Sequence, residues 1–321
     1  MRRVNRLAQG LVIALGIWPL AACAHRQTTS SPSGFPSAEP SPAPPPQPEL
    51  ASTVWPPPPE PPQAAMHTLT IPAGYPIQVA LTQTPQTVAA QATAADALAA
   101  INGGFFDPAT GETASFITLE GKLAADPRNN RRLTTNPNLE PYLAQIFNRS
   151  ELRDYRCGDG IRYDIAARQA PVPPGCNLHS ALGAGPQLLP RSTSEEEGFT
   201  AYREGVLIRD AINSQGRSAR SAVGLRANGD MLWVVATQTA SAGGLTLNEL
   251  AEFLRSQGVT QALNLDGGSS TSLSVASDIS GTAARVTYYG HLDASGNPIR
   301  RPVKSLLILP RALQPARQDS R

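Results

Sequence analysis

Hydrophobic and polar residues alternate in two segments near the start of the main body of the chain, at 67–71 and 75–81. Alternation with β-branched residues is typical of strands that bury one face. An alanine-rich run at 89–100 predicts a helix that feeds a short strand at 99–101. The segment 116–119, which precedes a Gly121-Lys122 turn, predicts half of a hairpin.

The C-terminal half has a more regular pattern. The segments 220–225 and 231–236 flank an Asn-Gly-Asp turn and predict a hairpin. Thr246 and Glu249 have the spacing of a capping box, which predicts a helix that ends at Gly258. The apolar runs 259–265 and 303–309 predict two further strands. No internal repeat is visible.

Residues 124–180 show only a weak pattern, which predicts an irregular excursion or lid. Strands outnumber helices elsewhere. We therefore expect an α+β fold: a single domain over residues 64–310, on a largely antiparallel or mixed sheet with flanking helices and irregular insertions. Residues 311–321 are expected to be a disordered tail.

The N-terminal sequence predicts an export signal. Residues 1–22 combine Arg2, Arg3 and Arg6 with an apolar run at 11–20 that is too short to span a membrane. The run ends in Leu-Ala-Ala-Cys, which resembles the lipobox of bacterial lipoproteins and predicts lipidation of Cys23. The expected location is the cell envelope, anchored in the outer membrane and facing the periplasm. An ordinary signal peptide with a chance cysteine is the alternative.

A proline-rich segment follows. Of the 31 prolines, 14 lie between residues 32 and 62. Such a composition favours extended polyproline II and predicts a disordered tether over residues 23–63. A ligand for a proline-binding module is the less favoured reading.

The net charge and the cysteine content limit the classes of function that the chain can have. A formal net charge of +2 excludes a strongly basic nucleic-acid-binding surface. Cys157 and Cys176 are expected to form a disulfide in an exported protein, with two buried thiols as the alternative. Neither a CxxC motif nor a His/Cys cluster is present, so no metal or cofactor is expected.

Two glycine pairs follow apolar, strand-like runs: Asn102-Gly103-Gly104 and Asp266-Gly267-Gly268. Glycine lets the backbone adopt unusual conformations and allows a ligand to approach, so that several N–H groups can converge on an anion. Ser269 and Ser270 add hydroxyl groups. Two ordinary tight turns are the alternative. Neither loop matches a nucleotide-binding P-loop or GxGxxG motif.

These loops belong to five blocks, in order, that resemble the phosphodiester glycosidase family. The blocks are Ile-Asn-Gly-Gly-Phe-Phe-Asp at 101–107, Leu-Gly-Ala-Gly-Pro-Gln-Leu-Leu at 182–189, Arg-Ser-Ala-Val-Gly at 220–224, Gly-Leu-Thr-Leu-Asn-Glu-Leu at 244–250 and Ala-Leu-Asn-Leu-Asp-Gly-Gly-Ser-Ser at 262–270. The resemblance covers roughly residues 95–309. It departs from the expected pattern at Ser221, where relatives are expected to carry threonine.

The resemblance implies hydrolysis of a sugar–phosphate bond at the anomeric carbon. Asp266 is then the candidate nucleophile or base beside an oxocarbenium-like centre. Arg220 would pair with phosphate oxygens, and Asn102 would orient sugar or phosphate oxygens. The residues expected to bind substrate are Gly103, Gly104, Phe106, Gly185, Gly267, Gly268, Ser269 and Ser270.

Other readings of these residues stay open at the sequence level. Asp266 could simply cap its loop, and Arg220 could pair with an acid such as Asp230. Asp107 and Glu112 are weaker candidates for a second carboxylate. The expected partner is a glycosyl phosphodiester in envelope glycans or glycolipids. The alternative function is a non-catalytic lipoprotein that binds phosphorylated glycans. A peptidoglycan amidase or peptidase is disfavoured because no metal-ligand or Ser/His/Asp arrangement is visible.

Overall fold

The structure is a computed structural model that describes residues 46–158, 160–239 and 243–311. The signal peptide, Cys23, the first part of the tether and residues 312–321 of the expected tail lie outside these residues. Among the described residues, no helix has the length and apolar character of a membrane span.

The described chain is built mostly from strands. In chain order they are β1 (Glu49–Trp55), β2 (Ala64–Ile71), β3 (Gln78–Gln86), β4 (Ala97–Asn102), β5 (Ile117–Leu119), β6 (Lys122–Ala125), β7 (Ser150–Cys157), β8 (Gly160–Ala167), β9 (Cys176–Gly183), β10 (Gln187–Leu189), β11 (Thr200–Arg203), β12 (Val206–Asp210), β13 (Arg220–Arg226), β14 (Met231–Thr237), β15 (Val259–Asn264), β16 (Ser272–Val275), β17 (Val286–Tyr289) and β18 (Val303–Pro310).

The helices are short. They are α1 (Val88–Ala94), α2 (Arg131–Thr134), α3 (Leu143–Ile146), α4 (Leu247–Ser256) and α5 (Ser277–Ser280), with 3₁₀ turns at Pro127–Asn129, Glu140–Tyr142 and Gly268–Ser270. The molecule is thus mostly sheet, and helices contribute less than the α+β expectation implied.

The strands form several sheets rather than the single sheet expected from the sequence. A six-stranded sheet has the order β1-β2-β14-β13-β15-β10, and two five-stranded sheets have the orders β17-β16-β4-β18-β3 and β6-β5-β9-β7-β8. Strands β11 and β12 form a separate pair. Every pairing between the described strands is antiparallel, as the hairpin-rich sequence predicts.

Strand β14 shows how the sequence builds the core. All seven of its residues are buried, and its two faces enter different hydrophobic clusters. Trp233 and Val235 pack in the cluster between the sheets, whereas Leu232 and Val234 pack in the cluster that includes α4. Each large apolar side chain buried in this way contributes about 1.5–3 kcal/mol to folding. The central position of β14 therefore requires an uninterrupted apolar run.

Helix α4 covers the outer face of this sheet, as its pattern predicts. Thr246 accepts a hydrogen bond from the Glu249 N–H group, and the Glu249 carboxylate accepts one from the Thr246 N–H group, which completes the capping box. Leu247, Leu250 and Leu254 are buried on one face of the helix. Gly258 follows the helix with φ +76°.

Three expectations about elements were wrong. The alanine-rich helix is shorter than expected: α1 ends at Ala94, Asp96 has φ +43°, and β4 starts at Ala97. The segment 124–180 is not irregular throughout, because β7, β8 and β9 lie within it. The ordered domain begins before residue 64, because residues 49–55 of the expected tether form β1 and pair along the whole of that strand with β2.

The disulfide is confirmed. Cys157, at the end of β7, lies opposite Cys176, at the start of β9, with their Cα atoms 4.2 Å apart, and the two are bonded. The bridge encloses β8 as well as the proline-rich turn that follows it. It therefore links β7 covalently to its neighbour β9, and β8 lies within the loop that it closes.

Candidate functional site

The two glycine loops meet. The 102–104 loop continues β4, and the 266–268 loop continues β15, so each lies at the end of a buried strand in a different sheet. The Asp266 N–H group donates to the Gly103 carbonyl at 3.0 Å, and the Asn102 amide nitrogen donates to the Asp266 carbonyl at 2.6 Å. The two loops are therefore one structural unit.

Asn102 serves as the connector of this unit rather than as a substrate ligand. Its side chain is fully buried. Its Oδ1 atom accepts hydrogen bonds from the Ser221 hydroxyl at 2.7 Å and from the Ser272 N–H group at 3.1 Å. Because the amide is already used on both sides, the expected role in orienting sugar or phosphate oxygens is not supported. Asn102 instead positions Asp266 through its backbone.

The glycine N–H groups do not form the expected anion cradle. Gly103 donates to the Ser305 carbonyl at 2.8 Å, and Gly104 donates to the Ser305 hydroxyl at 3.1 Å. Gly268 donates to the Ala219 carbonyl at 2.8 Å. The N–H group of Gly267 is directed at the Asp266 carboxyl group. These glycines allow close packing of the loops, since a Cβ atom at Gly103 would collide with the Ser305 backbone.

Arg220 is likewise used inside the protein. Its Nε donates to the Leu245 carbonyl and its Nη1 to the Ile212 carbonyl, while Nη2 donates to two more carbonyls. Those acceptors belong to Asn213 and Gly216, at 2.6 and 2.8 Å. Burial lowers the pKa of Arg220 to about 10. Both sequence-based expectations, a phosphate pair and a pair with Asp230, are wrong: the guanidinium group fastens the 212–216 loop.

Gly185 has a structural role at the end of β15. Its N–H group donates to the Asn264 carbonyl at 2.9 Å, and its own carbonyl accepts from the Asn264 amide at 2.9 Å. With φ +116° and the Glu197 carboxylate directly against it, this position has no room for a side chain. Gly185 thus holds the end of β15 next to Asp266, and the expected contact with substrate is not supported.

Asp266 remains the candidate reactive group. It is half-buried, and loss of hydration raises the pKa of its carboxyl group to about 6. The Ser270 hydroxyl, the charge of Arg301 and the Gly267 N–H group act in the opposite direction, because each stabilises the carboxylate. A carboxyl group with a pKa near neutrality serves either as a base or as an acid at physiological pH.

Arg301, which lies two residues before β18 and was not predicted as a site residue, supplies the positive charge. Its Nη1 donates to the Ser269 hydroxyl at 3.0 Å, and its guanidinium carbon lies 5.9 Å from the centre of the Phe106 ring. Ser270 therefore contacts Asp266 directly, and Ser269 and Phe106 lie beside Arg301; the expected role of these three residues in binding substrate stays a prediction. The signal available in the sequence was the Arg300-Arg301 pair, which one proline separates from the last strand.

Ser218 and His291 were also missed. The Ser218 hydroxyl lies 3.4 Å from His291 Nε2, and both atoms are about 4.0 Å from the position that a Cβ atom of Gly268 would take. Burial lowers the pKa of His291, which favours the neutral form of the ring. The open side of Gly268 thus faces a second polar pair.

The weaker carboxylate candidates have structural roles. The Asp107 carboxylate accepts the Ala109 N–H group at 2.8 Å and pairs with Arg132 at 3.0 Å, while the Glu112 carboxylate accepts the Thr110 hydroxyl. Within the described ranges, no group of three or more His, Cys, Asp or Glu side chains could hold a metal ion.

Comparison with known proteins identifies a family and solved structures that this chain resembles. A family model described as phosphodiester glycosidase matches residues 95–309. The catalytic domain of zebrafish N-acetylglucosamine-1-phosphodiester alpha-N-acetylglucosaminidase, auto-inhibited by its pro-peptide, is similar in fold. It is 18% identical with a TM-score of 0.58, and the match covers 83% of each chain.

A putative exported protein of Burkholderia pseudomallei is 18% identical with a TM-score of 0.53, and the match covers 77% of this chain and 74% of that one. These two likenesses concern the fold alone. A search of curated proteins found no match.

Proposed function

Because this chain belongs to the phosphodiester glycosidase family, we propose that it hydrolyses the sugar–phosphate bond of glycosyl phosphodiesters of the N-acetylglucosamine-1-phosphate type. The observation that carries the proposal is the Asp266 carboxyl group, whose pKa is raised to about 6, next to the Arg301 guanidinium group. The pairing suits a substrate with an anionic phosphate beside a reacting anomeric carbon.

The proposed chemistry divides the work between these two groups. Arg301, steadied by the Ser269 hydroxyl, holds the phosphodiester oxygens and stabilises the charge that develops on the leaving phosphate. Asp266 acts as a carboxylate at the anomeric carbon, as nucleophile or as base for water. Water adds to the sugar, the C1–O bond breaks, and the phosphate monoester leaves. Since that monoester is a weak base with a second pKa near ~6, it requires little proton donation.

The test is release of free N-acetylglucosamine from an N-acetylglucosamine-1-phosphate diester by the full-chain protein. We expect Asp266→Asn to lower kcat by at least about a hundredfold and to leave binding largely intact. The matched control is Asp96→Asn, because that side chain is 79% exposed and lies outside the site. In the parent protein, kcat/KM is expected to rise with pH through about 6 as the Asp266 carboxylate forms.

Undiminished turnover by Asp266→Asn would contradict the proposed role of this carboxyl group. Binding of the diester by the parent without any release of sugar would replace the proposal with glycan binding alone.

We also propose that the substrate belongs to the cell envelope and that the protein is anchored there through a lipid on Cys23. The Leu-Ala-Ala-Cys sequence after an apolar run supports this, as does the disulfide. Metabolic labelling with radioactive palmitate is expected to mark the parent protein and not Cys23→Ser. Equal labelling of both would contradict the anchor.

A further inference from the structure

Gly268 differs from the other three glycines of the two loops because the space beside its backbone is open. A Cβ atom at Gly103, Gly104 or Gly267 would lie 3.0 Å or less from backbone atoms of another segment. At Gly268, which has φ +60°, the nearest described atoms outside residues 267–269 lie 4.0 Å away. Glycine at such a position lets a ligand approach the backbone closely. A ligand therefore has room next to Gly268, two residues along the loop from Asp266.

The atoms that face this open side belong to a serine and a histidine. They are Ser218 Oγ and His291 Nε2, which lie 3.4 Å apart. Both side chains are half-buried, so solvent reaches them. Their mutual contact is longer than an ordinary hydrogen bond of a hydroxyl group, and neither side chain makes another hydrogen bond within the described ranges. The pair therefore keeps hydrogen-bonding capacity for a ligand.

The backbone holds both side chains in place. Ser218 exchanges two backbone hydrogen bonds with Leu245, at 3.1 and 2.9 Å. The His291 carbonyl accepts the Ile299 N–H group at 2.9 Å. Two polar side chains that project from a fixed backbone lose little conformational entropy when a ligand binds.

The pair differs from Arg301 in charge and in hydrogen-bonding character. A serine hydroxyl and a neutral imidazole both donate and accept hydrogen bonds, and burial favours the neutral form of His291. Arg301, which donates to the Ser269 hydroxyl at 3.0 Å, carries a positive charge and only donates. Sugar hydroxyl groups also donate and accept without charge, whereas phosphate oxygens are anionic acceptors. The neutral pair next to Gly268 thus suits a sugar, and the cation next to Ser269 suits a phosphate.

We propose that Ser218 and His291 bind the sugar of the substrate while Arg301 holds its phosphate. The inference rests on the proposed function and assigns two further substrate-binding residues to the same site. The division orients the substrate at the Asp266 loop, because a reversed substrate would place its anion against the neutral pair.

The experiment measures binding of N-acetylglucosamine by saturation-transfer NMR and of inorganic phosphate by ³¹P NMR, each to the full-chain protein. We expect Ser218→Ala and His291→Ala each to weaken sugar binding by about fivefold, because each removes a hydrogen bond, and to leave phosphate binding unchanged. Arg301→Met should do the reverse. His291→Gln, which keeps an amide donor and acceptor, should retain more sugar binding than His291→Ala.

Ser52→Ala is the matched control. The Ser52 hydroxyl also lies beside a histidine nitrogen, His67 Nδ1 at 2.8 Å, but on the edge strand β1, which β2 and β14 separate from β13. This variant should bind both probes as the parent does. Ser218→Ala guards against a trivial loss of folding, because its hydroxyl has no described partner other than His291 and the thermal midpoint should not fall.

A parent that binds no N-acetylglucosamine would overturn the inference, as would unchanged sugar binding in both Ser218→Ala and His291→Ala. An equal loss of phosphate binding in these variants would overturn the division between sugar and phosphate. Sugar release tests the proposed function separately. Sugar binding that depends on the pair, without turnover, would contradict hydrolysis alone, whereas normal turnover with an unchanged KM in both variants would contradict this inference alone.

Discussion

The carboxyl group of Asp266 loses much of its hydration when the chain folds, and this lowers the stability of the folded state at pH values at which the carboxylate forms. Its pKa is 3.8 without perturbation and about 6 in the folded protein. The folded state therefore holds the proton more tightly. Below pH 4 the group costs nothing, and the cost grows as pH rises through 4 to 6 and then stays constant.

Asp266→Asn is therefore expected to stabilise the protein at pH 7.5 while it abolishes turnover. The raised pKa corresponds to about 3 kcal/mol at most, and partial exposure reduces the expected gain to about 1–2 kcal/mol. Urea denaturation at pH 7.5 and pH 4 measures it. Little or no gain is expected at pH 4, and an equal gain at both pH values would contradict the raised pKa.

Single residues of the site differed in how far the sequence could predict them. Asp266 was identifiable because a carboxylate before two glycines, after an apolar strand, has few purely structural uses. Arg220 looked equally suitable, but which carbonyls surround a guanidinium group depends on how the 212–216 loop folds back. Arg301 was missed because it reaches Ser269 from a segment 32 residues further along the chain.

At the scale of elements, strands β7 and β1 were not predicted because polar residues interrupt or replace their apolar pattern. Strand β7 buries Glu151, Arg153 and Asp154, which breaks the alternation of apolar and polar positions that indicates a strand. Strand β1 is an edge strand, and most of its residues are exposed, so it lacks an apolar pattern as well. By contrast, β13 and β14 were predictable from apolar runs on either side of a turn, and α4 from its capping box and apolar face.

The 212–216 loop depends on Arg220. We expect Arg220→Met to leave four carbonyl groups without their charged donor and to lower the free energy of unfolding by about 3–5 kcal/mol, because buried carbonyl groups lose their hydrogen bonds. Hydrogen exchange followed by mass spectrometry should show faster exchange in residues 210–217 than in α4.

The control for this variant is Arg255→Met, which removes an arginine from the exposed end of α4. Unchanged exchange in the loop of Arg220→Met would show that the guanidinium group does not hold it.

At the scale of the whole molecule, the domain starts with β1. Trp55, at the end of β1, packs edge-on against Phe253 of α4 with ring centres 5.4 Å apart, and the Gly244 N–H group donates to the Gln63 carbonyl at 2.9 Å. The segment between β1 and β2 is therefore tied to the helix that precedes β15.

A chain that starts at residue 46 is expected to match the full chain in thermal midpoint, whereas one that starts at residue 64 should melt lower and aggregate. Loss of β1 exposes the unpaired edge of β2, and such an edge invites pairing between molecules. Calorimetry and size-exclusion chromatography compare the two chains. Equal behaviour would place the start of the folded domain at residue 64 after all.

Because Ser305 lies in the last strand, the glycine loops that it contacts can be fixed only after that strand has been synthesised. Its carbonyl and hydroxyl groups hold Gly103 and Gly104, about 200 residues earlier, and its strand β18 fills the gap between β4 and β3. While the nascent chain still lacks this last segment, the gap stays open and the Gly103–Gly104 backbone has nothing to fix it. Contacts of such long range form slowly. A polypeptide released early from the ribosome would carry Asp266 and every glycine of the site, yet hold none of them in place.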